Sequence, residues 1–354
     1  MTPRSPDASS QLLEPAVDYV LPLRWTDDGE LADLTAYLCQ LSQWVRVIIV
    51  DGSPQPIFAG HVALWSAVAL VIPPSGEATL NGKVAAVHTG IRVARSKQVV
   101  IADDDVRYDR AALAAVVAHL GDADLVGPQN VFSPQPWHAR WDTSRSLLNR
   151  AFGADYPGTF AIRRVTFDRM GGYSGDVLFE NLELMRTVEA TGGVVRRPLD
   201  LYVERRPPTV RKFLEQRTRQ AFDDFAQPAK AAVLLAIAPL ALLALVTGRA
   251  WLLLIASMAI IGMAERGRRR GGGVSAFPFV CALLAPAWVL ERACCIWLAS
   301  AARLRGGIPY AGGRLVIPAH SVRALRSAAS PRAGARPAQQ PEILLRGVSR
   351  HRRA

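Results

Sequence analysis

The chain has 354 residues, a formal net charge of +12 at pH 7, 50% hydrophobic residues, 20% charged residues and a mean hydropathy of +0.14. A disordered basic protein would lack this apolar fraction, and an ordinary soluble enzyme would be more polar, so the composition excludes both classes. It also changes along the chain: residues 1–228 are typical of a soluble α/β protein, residues 229–302 are mostly apolar, and residues 303–354 are rich in Arg, Ala and Pro.

The N-terminal segment and the cysteines indicate a cell compartment. Residues 1–16 contain Asp, Ser, Gln and Glu without an apolar run, which predicts a flexible N-terminus and no signal peptide. The four cysteines have neither metal-ligand spacing nor the pattern of a disulfide framework. We therefore expect the domain that follows, residues 17–208, to lie in the cytoplasm.

Residues 17–208 alternate apolar, β-branched runs with segments of helical periodicity. The predicted elements of the first half are strand 17–23, helix 31–41, strand 44–50, strand 69–72, helix 83–94 and strand 98–102. Those of the second, mixed half are helix 109–120, strand 125–126, strand 160–162 and helix 183–190. The alternation predicts an α/β fold with a parallel-rich sheet covered by helices on both faces. Ligands are expected at the carboxyl ends of its strands.

The segment 209–228 is basic and amphipathic and directly precedes the apolar region. Thr209 is a predicted N-cap, and apolar residues occupy one side of the segment while basic residues are distributed around the rest. This pattern predicts a helix that lies in the membrane interface. A surface helix of the soluble domain is the alternative.

Residues 229–302 contain three apolar stretches. Residues 231–248 and 250–264 predict a helical hairpin through the bilayer, after which the basic run 266–270 returns to the cytoplasm. Residues 274–302 would either cross once or re-enter. Re-entry is favoured because it keeps the basic tail inside, as the positive-inside rule requires.

The tail, residues 303–354, is predicted to be basic and mostly disordered. Few aromatic residues accompany its Arg residues, and none does beyond Ala319, so we expect contact with an anionic membrane surface and not with nucleic acid.

Acidic side chains follow two of the predicted strands. Asp51 can accept a hydrogen bond from a nucleotide base, although Asp-Gly is also a common turn. Asp103, Asp104 and Asp105 repel one another unless a cation neutralises them. In an extended segment Asp103 and Asp105 point to one side and Asp104 to the other, which predicts that the pair holds a divalent cation bound to diphosphate oxygens. A solvated acidic turn is the alternative.

A third acidic group, residues 180–183, precedes the last helix of the domain. With it, five motifs occur in order: VDGS, LNGKVAAVHTGIRVA, the D-x-D within ADDDVRY, MGGYSGDVLFENLEL and QRTRQ. This order resembles that of membrane-bound family 2 glycosyltransferases, among them ceramide-glucosyltransferase-like enzymes and bacterial lipid or polysaccharide glycosyltransferases. The resemblance covers about residues 17–225.

The resemblance implies a GT-A fold, a Rossmann-like mixed sheet, with a cytoplasmic active site that uses a nucleotide-sugar donor. By position, Asp51 would hold the base and Lys83 would stand near the donor. Asp103 and Asp105 would hold the sugar diphosphate and a Mg²⁺ or Mn²⁺ ion. Such an ion stabilises the charge on the leaving nucleotide while a base deprotonates the acceptor hydroxyl, and inversion at the anomeric carbon is the expected outcome.

One departure from the family pattern concerns the base. Asn181 stands where the family has the Asp that is assigned this role, and an amide cannot take a proton. We predict that Glu180 has taken it over, with Glu183 as the alternative. An inactive protein that still binds nucleotide sugar is the third possibility.

The second departure is at the motif that the family writes Q-x-x-R-W. Gln216 and Arg219 are kept, but Gln220 replaces the Trp. Arg219 can still bind a phosphate oxygen of the donor. The missing indole disfavours a processive sugar polymer as the product. The segment 306–314 resembles one that returns to the active-site mouth in related enzymes, and a plain loop is the alternative.

The predicted function is that of an inverting glycosyltransferase, multi-pass in the plasma membrane, whose catalytic domain faces the cytoplasm. It would transfer a sugar from a nucleotide-sugar donor, with a UDP-sugar expected, to a lipid or lipid-linked acceptor of the cell envelope. A polysaccharide synthase and a catalytically impaired nucleotide-sugar-binding membrane protein are the alternatives.

Overall fold

The computed structural model describes Leu13 and residues 16–76, 79–310 and 312–329. Within these ranges the chain forms twelve β-strands in three sheets. The strands are β1 (Val17–Leu23), β2 (Arg46–Asp51), β3 (Leu70–Ile72), β4 (Gln98–Ala102), β5 (Val106–Arg107), β6 (Leu125–Val126), β7 (Gln129–Phe132), β8 (Thr159–Arg163), β9 (Val195–Arg196), β10 (Tyr202–Arg205), β11 (Ile308–Tyr310) and β12 (Gly313–Leu315).

Fifteen α-helices accompany the strands in the same part of the chain. They are α1 (Leu31–Leu41), α2 (Gln55–Trp65), α3 (Gly82–Val93), α4 (Arg110–Ala118), α5 (Trp137–Phe152), α6 (Arg164–Met170), α7 (Glu180–Ala190), α8 (Val210–Glu215), α9 (Arg217–Asp223), α10 (Pro228–Val246), α11 (Trp251–Arg269), α12 (Gly273–Ala276), α13 (Val280–Leu283), α14 (Ala285–Leu304) and α15 (Val322–Ala329).

The predicted elements of the first half are present. β1, α1 and β4 have the predicted bounds, because each is an apolar run or an apolar helical stripe that ends at polar or turn-forming residues. α7 begins at Glu180 and not at residue 183, in keeping with the preference of acidic residues for the first turn of a helix. Of the predicted flexible N-terminus, residues 1–16, only Leu13 and Ala16 are described. The prediction that the tail, residues 303–354, is mostly disordered is wrong for the half that is described, which contains β11, β12 and α15; the rest of the tail lies outside the described residues.

The main sheet has seven strands in the order β3-β2-β1-β4-β8-β6-β9. The first four are parallel to one another, whereas β8 runs antiparallel to both β4 and β6. A second sheet, in the order β5-β10-β7, adjoins the end of β4 through the short segment between β4 and β5. The fold is therefore mixed α/β with a parallel-rich sheet, as predicted.

Helices cover both faces of the main sheet. Alternate residues of β1 point to opposite faces. Tyr19 and Leu21 pack in the core under α1 and α4, whereas Val20 packs in the core under α3 and α7. Because β1, β2 and β4 are parallel, their carboxyl ends lie at one edge of the sheet. This edge is where the fold can present polar side chains to a ligand.

Of the predicted membrane spans, α10 alone among the described helices is long and apolar enough to cross a bilayer. Only 17% of its most apolar window is buried, so this helix is not a core element of the α/β domain. The other two predicted spans, 250–264 and 274–302, do not meet this test. The segment 250–264 lies within the longer helix α11, and the segment 274–302 is divided among α12, α13 and α14.

The C-terminal part of α11 is joined to the α/β domain. A Cβ on Gly267 would clash with the carbonyl oxygen of Leu147 in α5, so the two helices are in direct backbone contact. The buried Arg150 of α5 donates to the carbonyls of Gly267 and Arg270. The C-terminal end of α11 is thus fastened to the sheet domain, whereas residues 250–263 are exposed or half-buried, and the hairpin through the bilayer stays a prediction.

The segment 209–228 is not one continuous helix as predicted. Thr209 is the N-cap of α8, as expected, but the chain turns again at Gln216 and continues as α9. Arg217 is buried and forms ion pairs with Asp142 at 2.8 Å and Glu291 at 3.4 Å. These contacts bury Arg217 between α5 and α14, whereas Arg211 and Lys212 of α8 remain exposed.

Candidate active site

A cavity of about 340 Å³, here called the site cavity, lies at the carboxyl end of β4 between β10, α7 and α9. Seven of the nine predicted site residues line it, and Asp51 and Glu183 do not. The lining residues are Lys83, Asp103, Asp104, Asp105, Phe132, Asp142, Arg145, Tyr156, Leu178, Phe179, Glu180, Asn181, Arg205, Pro208, Lys212, Gln216, Arg219, Gln220 and Asp223.

Three aspartates occupy the turn that follows β4. The backbone N–H of Asp103 donates to the carbonyl of Gly158 at 2.9 Å, and a Cβ on Gly158 would lie 2.7 Å from Asp103 Oδ2, so glycine leaves room for this carboxylate. Because the aspartates lie in a turn, the alternation of an extended strand does not apply. Asp104 also lines the cavity, and its Oδ2 accepts a 2.6 Å hydrogen bond from the indole of Trp25. The prediction that Asp104 points away is therefore wrong.

Lys83 is placed by the start of α3. Asn81 Oδ1 accepts a hydrogen bond from the backbone N–H of Lys83 at 3.2 Å, which caps the helix. Lys83 Nζ lies 2.5 Å from Asp103 Oδ1 and 2.8 Å from Glu180 Oε1. Burial on its own lowers the pKa of Lys83, but the two carboxylates outweigh it and raise the pKa above its usual value. Lys83 is therefore a permanent positive charge in the cavity.

Arg205, at the end of β10, is the second cation on this side of the cavity. Its Nε lies 2.8 Å from Asp105 Oδ2, and one terminal nitrogen lies 3.6 Å from Asp103 Oδ2. Sequence reasoning missed Arg205 because β10 belongs to a separate small sheet. Only its pairing with β5, which follows Asp105 directly, brings it to the aspartates.

The residues present fit a divalent cation that is held together with a diphosphate. The buried Oδ1 of Asp105 accepts no hydrogen bond from the described residues. Burial raises the pKa of Asp105, Arg205 opposes this, and the carboxylates of Asp103 and Asp104 add to it. No cluster of three or more His, Cys, Asp or Glu side chains suited to a metal occurs in the described part of the chain. Two carboxylates suffice for Mg²⁺ when substrate phosphates complete its coordination.

Glu180 and Asn181 lie in the first turn of α7. Besides its contact with Lys83, Glu180 lies 3.5 Å from the side-chain amide nitrogen of Asn81. The amide nitrogen of Asn181 donates to the carbonyl of Pro157 at 3.0 Å, and its oxygen accepts from Lys83 at 3.4 Å. Both predicted residues are thus engaged with neighbours. The role of Glu180 as the base stays a prediction.

Glu183, the alternative base, is fully buried away from the cavity. Its two oxygens accept hydrogen bonds from the backbone N–H of His320 at 2.7 Å and from the ring Nδ1 of His320 at 2.8 Å. His320 lies just before α15, far along the chain, which is why the sequence pattern around Glu183 did not reveal its partner. The structure gives Glu183 the role of fastening α7 to the C-terminal segment, so its selection as a catalytic candidate is wrong.

The Q-x-x-R motif lies on the helical side of the cavity. Gln216 and Arg219 both line it, and the guanidinium of Arg219 lies 4.9 Å from the centre of the Tyr310 ring. Gln220, which replaces the family's Trp, accepts hydrogen bonds from Arg217 at 2.7 Å and from Arg292 at 3.2 Å. Gln220 therefore satisfies two buried guanidinium groups and offers no aromatic surface to an acceptor.

The segment 306–314, for which a loop was the alternative, forms the hairpin of β11 and β12 and does return to the site. The hydroxyl of Tyr310 donates to Asn81 Oδ1 at 3.4 Å. The backbone N–H of Leu178 donates to Ile317 at 3.0 Å. The hairpin thus closes the wall of the cavity next to α7.

Asp51 lies at the end of β2 but does not line the site cavity. Its Oδ1 accepts from the backbone N–H of Ser53 at 2.8 Å, and its Oδ2 lies 2.6 Å from His61 Nδ1. Both oxygens are engaged, and the residue is 1% exposed. The predicted contact with a nucleotide base stays a prediction.

An adjoining cavity of about 840 Å³ shares Asp104, Asp105, Pro208 and Lys212 with the site cavity. Its other walls include Arg24, Trp25 and Thr26, which follow β1. Sequence reasoning did not select these residues. Their position directly after a parallel strand was the available signal.

Asp223 was also missed. It is the last residue of α9, lines the site cavity, and has a buried Oδ1 that accepts no hydrogen bond from the described residues. Burial raises the pKa of Asp223 to about 8; Arg219 opposes this, and Glu180 and Asp224 add to it. The signal in the sequence was the pair of carboxylates directly after the Q-x-x-R motif, which the interpretation as an interfacial helix obscured.

Comparison with known proteins identifies the class. Residues 77–177 match the model of the family "Glycosyl transferase family 2". The match includes Lys83 and the three aspartates after β4, and it ends just before Glu180. It confirms the prediction that the protein is a glycosyltransferase, with a family 2 domain in this part of the chain. The search of curated proteins finds no match.

Solved structures with similar folds include a mannosyltransferase from Pyrobaculum calidifontis in complex with GDP-Man and Mn²⁺. It is 18% identical with a TM-score of 0.47, and the alignment covers 83% of this chain and 91% of that one. GalNAc-T7 with UDP, GalNAc and Mn²⁺ is 15% identical with a TM-score of 0.38, covering 55% and 45%. TarS residues 1–349 from S. aureus are 10% identical with a TM-score of 0.42, covering 58% and 64%. At these TM-scores, the likenesses carry no weight for activity.

Proposed function

We propose that the protein is an inverting glycosyltransferase of GT-A fold that moves a sugar from a nucleotide-sugar donor to a lipid or lipid-linked acceptor at the cytoplasmic face of the plasma membrane. One observation carries the proposal. In the segment that matches the family and just beyond it, Lys83, Asp103, Asp105 and Glu180 meet in one cavity at the carboxyl end of β4.

The charges of the cavity suit a donor diphosphate with a divalent cation. On the strand-end side, two cations, Lys83 and Arg205, face four carboxylates: Asp103, Asp104, Asp105 and Glu180. When all are ionised, two negative charges remain unbalanced, which a divalent cation would neutralise. Asp103 and Asp105 would hold Mg²⁺ or Mn²⁺, whose bound form stabilises negative charge on the departing nucleoside diphosphate.

Two other basic residues are placed to bind the donor's phosphates. Arg219 and Lys212 line the cavity opposite the aspartates, and neither forms an ion pair among the described residues. A guanidinium group can bind two phosphate oxygens at once, whereas an ammonium group acts as a point charge. The adjoining cavity would receive the nucleoside, because it continues from Asp105 to the indole of Trp25, which offers a face for a base to stack on.

The surface next to the cavity supports an acceptor that is presented by a bilayer. α10 begins shortly after Asp223, and Lys230 in its first turns lies 2.9 Å from Asp224. Large apolar side chains are exposed along α10 and α11, among them Leu240, Leu243, Val246, Trp251, Leu254 and Ile255. An exposed apolar surface of this kind marks contact with a membrane or a partner. The site cavity therefore opens close to the end of the helix that is suited to enter the bilayer.

The experiment that tests the proposal is a donor screen with the full chain in detergent or nanodiscs. Nucleoside diphosphate release is measured for UDP- and GDP-sugars with Mg²⁺ or Mn²⁺, with and without a membrane-lipid extract, beside Asp105→Ala. We expect release that requires lipid, a cation and Asp105.

Donor binding without release under every condition would contradict the transferase function in this form. It would favour a binding protein, in which the engaged amide of Asn181 explains the lack of turnover. Release into a growing polymer without a lipid requirement would favour a polysaccharide synthase.

A further inference from the structure

We propose, on the basis of the function proposed above, that Asp223 is the general base that deprotonates the acceptor hydroxyl. This assigns to the end of α9 the role for which the sequence predicts Glu180 of α7. The inference rests on where the carboxylate lies, on what surrounds it, and on how the other carboxylates of the cavity are engaged.

Each of the other carboxylates that line the site cavity has a donor partner. Asp103 and Glu180 are paired with Lys83, and Asp105 with Arg205. Two more are engaged by residues outside this set: Asp104 accepts from Trp25 and Asp142 from Arg217. Among the described residues of the cavity, the carboxylate of Asp223 is the exception, since no hydrogen bond or ion pair joins it to a neighbour.

A carboxylate that is buried without a partner reduces stability, because it loses its hydration and gains nothing in exchange. The nearby Asp224 shows the alternative: it is paired with Lys230 at 2.9 Å and lies 3.8 Å from Arg292. The two aspartates are adjacent in the chain but differ in their partners. Asp224 is a structural ion pair, whereas Asp223 faces the cavity unpaired.

The charges around Asp223 tune it to accept a proton. Burial contributes most to its raised pKa, which lies at about 8; Arg219 lowers it, Glu180 and Asp224 raise it, and Arg292 lowers it. A general base works best when its pKa lies close to the working pH, because it is then both available and strong enough. Glu180 differs from Asp223 in that its carboxylate is held by the ammonium group of Lys83 at 2.8 Å.

In the reaction, the Asp223 carboxylate takes the proton of the acceptor hydroxyl. The hydroxyl oxygen donates its electron pair to the anomeric carbon, and the bond from that carbon to the diphosphate oxygen breaks. The electron pair of that bond leaves with the nucleoside diphosphate, next to Arg219 and Lys83. Protonated Asp223 then returns its proton to the solvent, so the protein is unchanged.

The test compares wild type, Asp223→Asn, Glu180→Gln and Asn181→Asp, with the exposed Asp200→Asn as the matched control. Acceptor-dependent turnover, donor binding by calorimetry and thermal unfolding are measured for each. We expect Asp223→Asn to lose about 10²- to 10⁴-fold in turnover while it folds and binds donor like wild type. We expect a smaller loss for Glu180→Gln and none for Asp200→Asn.

The pH profile of wild type gives a second readout that does not depend on a variant's folding. The kcat/KM should rise with pH to a plateau above about 8. Wild-type turnover in Asp223→Asn, or a profile without this rise, would overturn the assignment while the transferase function stands. If wild type turns over no donor at all, the proposed function fails, and the base assignment fails with it.

Discussion

The two sides of the site cavity hold their carboxylates in different ways. On the strand-end side, Lys83 and Arg205 contact Asp103, Asp105 and Glu180 at 2.5 to 3.6 Å. On the helical side, Asp223 has an unpaired carboxylate, and the cation nearest in sequence, Arg219, lies over the Tyr310 ring.

This difference indicates a division of labour. Carboxylates that are held by cations and still leave surplus negative charge are suited to bind a divalent ion and, through it, a diphosphate. An unpaired carboxylate with a raised pKa is suited to accept a proton. Sequence motifs identify the first kind more readily than the second, because paired charges recur at fixed spacing after a strand.

On the strand-end side, the largest effect is expected for Asp105→Ala, which removes one of the two proposed cation ligands. We expect turnover to fall by about 10³-fold, comparable to losing a main electrostatic contact with the transition state. The measurement is nucleoside diphosphate release over a range of Mn²⁺ concentrations. Asp104→Asn is the matched variant in the same turn and should lose less. Equal losses in the two variants would mean that Asp103 and Asp105 do not act as a pair.

Lys83→Met should have the next largest effect. It leaves Asp103 and Glu180 without their shared cation and removes a charge that faces the donor. We expect about 10- to 100-fold weaker donor binding, the size of one or two charge-assisted hydrogen bonds. Calorimetry with the donor measures it, and Lys83→Arg should recover part of the loss. Unchanged affinity would place the donor elsewhere.

Glu183→Gln should affect stability and not chemistry. Glu183 is fully buried and accepts two hydrogen bonds from His320, so the change should lower the free energy of unfolding by about 1–3 kcal/mol. Denaturant unfolding measures this, and turnover per folded molecule should stay at the wild-type value. A large loss of turnover in folded protein would return Glu183 to the list of catalytic candidates.

The smallest effect is expected in the pH dependence of stability. Asp223 has a raised pKa, about 8, in the folded protein and an ordinary value near 4 when unfolded. Between these pH values the folded state therefore binds a proton on Asp223 that the unfolded state does not. The stabilisation that this proton gives is lost as the pH rises from about 4 to about 8. In Asp223→Asn, the free energy of unfolding should therefore fall by about 1–2 kcal/mol less over this pH range than in wild type. Partial hydration of the carboxylate keeps the difference this small. Thermal unfolding at pH 5 and pH 8 checks it; an identical slope in both proteins would contradict the raised pKa.

Most of the α/β domain could be predicted from the sequence because its signals are local. β1, α1 and β4 are uninterrupted apolar patterns, and the strand-end aspartates and Lys83 follow from motif order. What could not be predicted depends on contacts between distant segments. Glu183 meets His320 from the C-terminal segment, and Arg205 reaches Asp105 through a separate sheet.

The apolar region shows the same limit. Hydropathy predicted three membrane segments, but it cannot distinguish an apolar helix that faces lipid from one that packs on protein. α10 and the N-terminal half of α11 are apolar and mostly exposed, whereas the C-terminal end of α11 makes backbone contact with α5 through Gly267. The packing of α14 against α9 likewise places Arg292 beside Gln220. Arg292 interrupts an apolar stretch and is buried against protein. A mean hydropathy does not take account of such single charged residues.

The central claim is that the strand-end side binds a nucleoside diphosphate together with a divalent cation. The most direct measurement is calorimetric titration of the full chain with UDP and GDP in the presence and absence of Mn²⁺, for wild type and Asp105→Asn. We predict that one nucleotide binds to wild type tightly only when Mn²⁺ is present, and that Asp105→Asn loses this cation dependence. Binding of equal affinity without Mn²⁺, or binding unaltered by Asp105→Asn, would contradict the account.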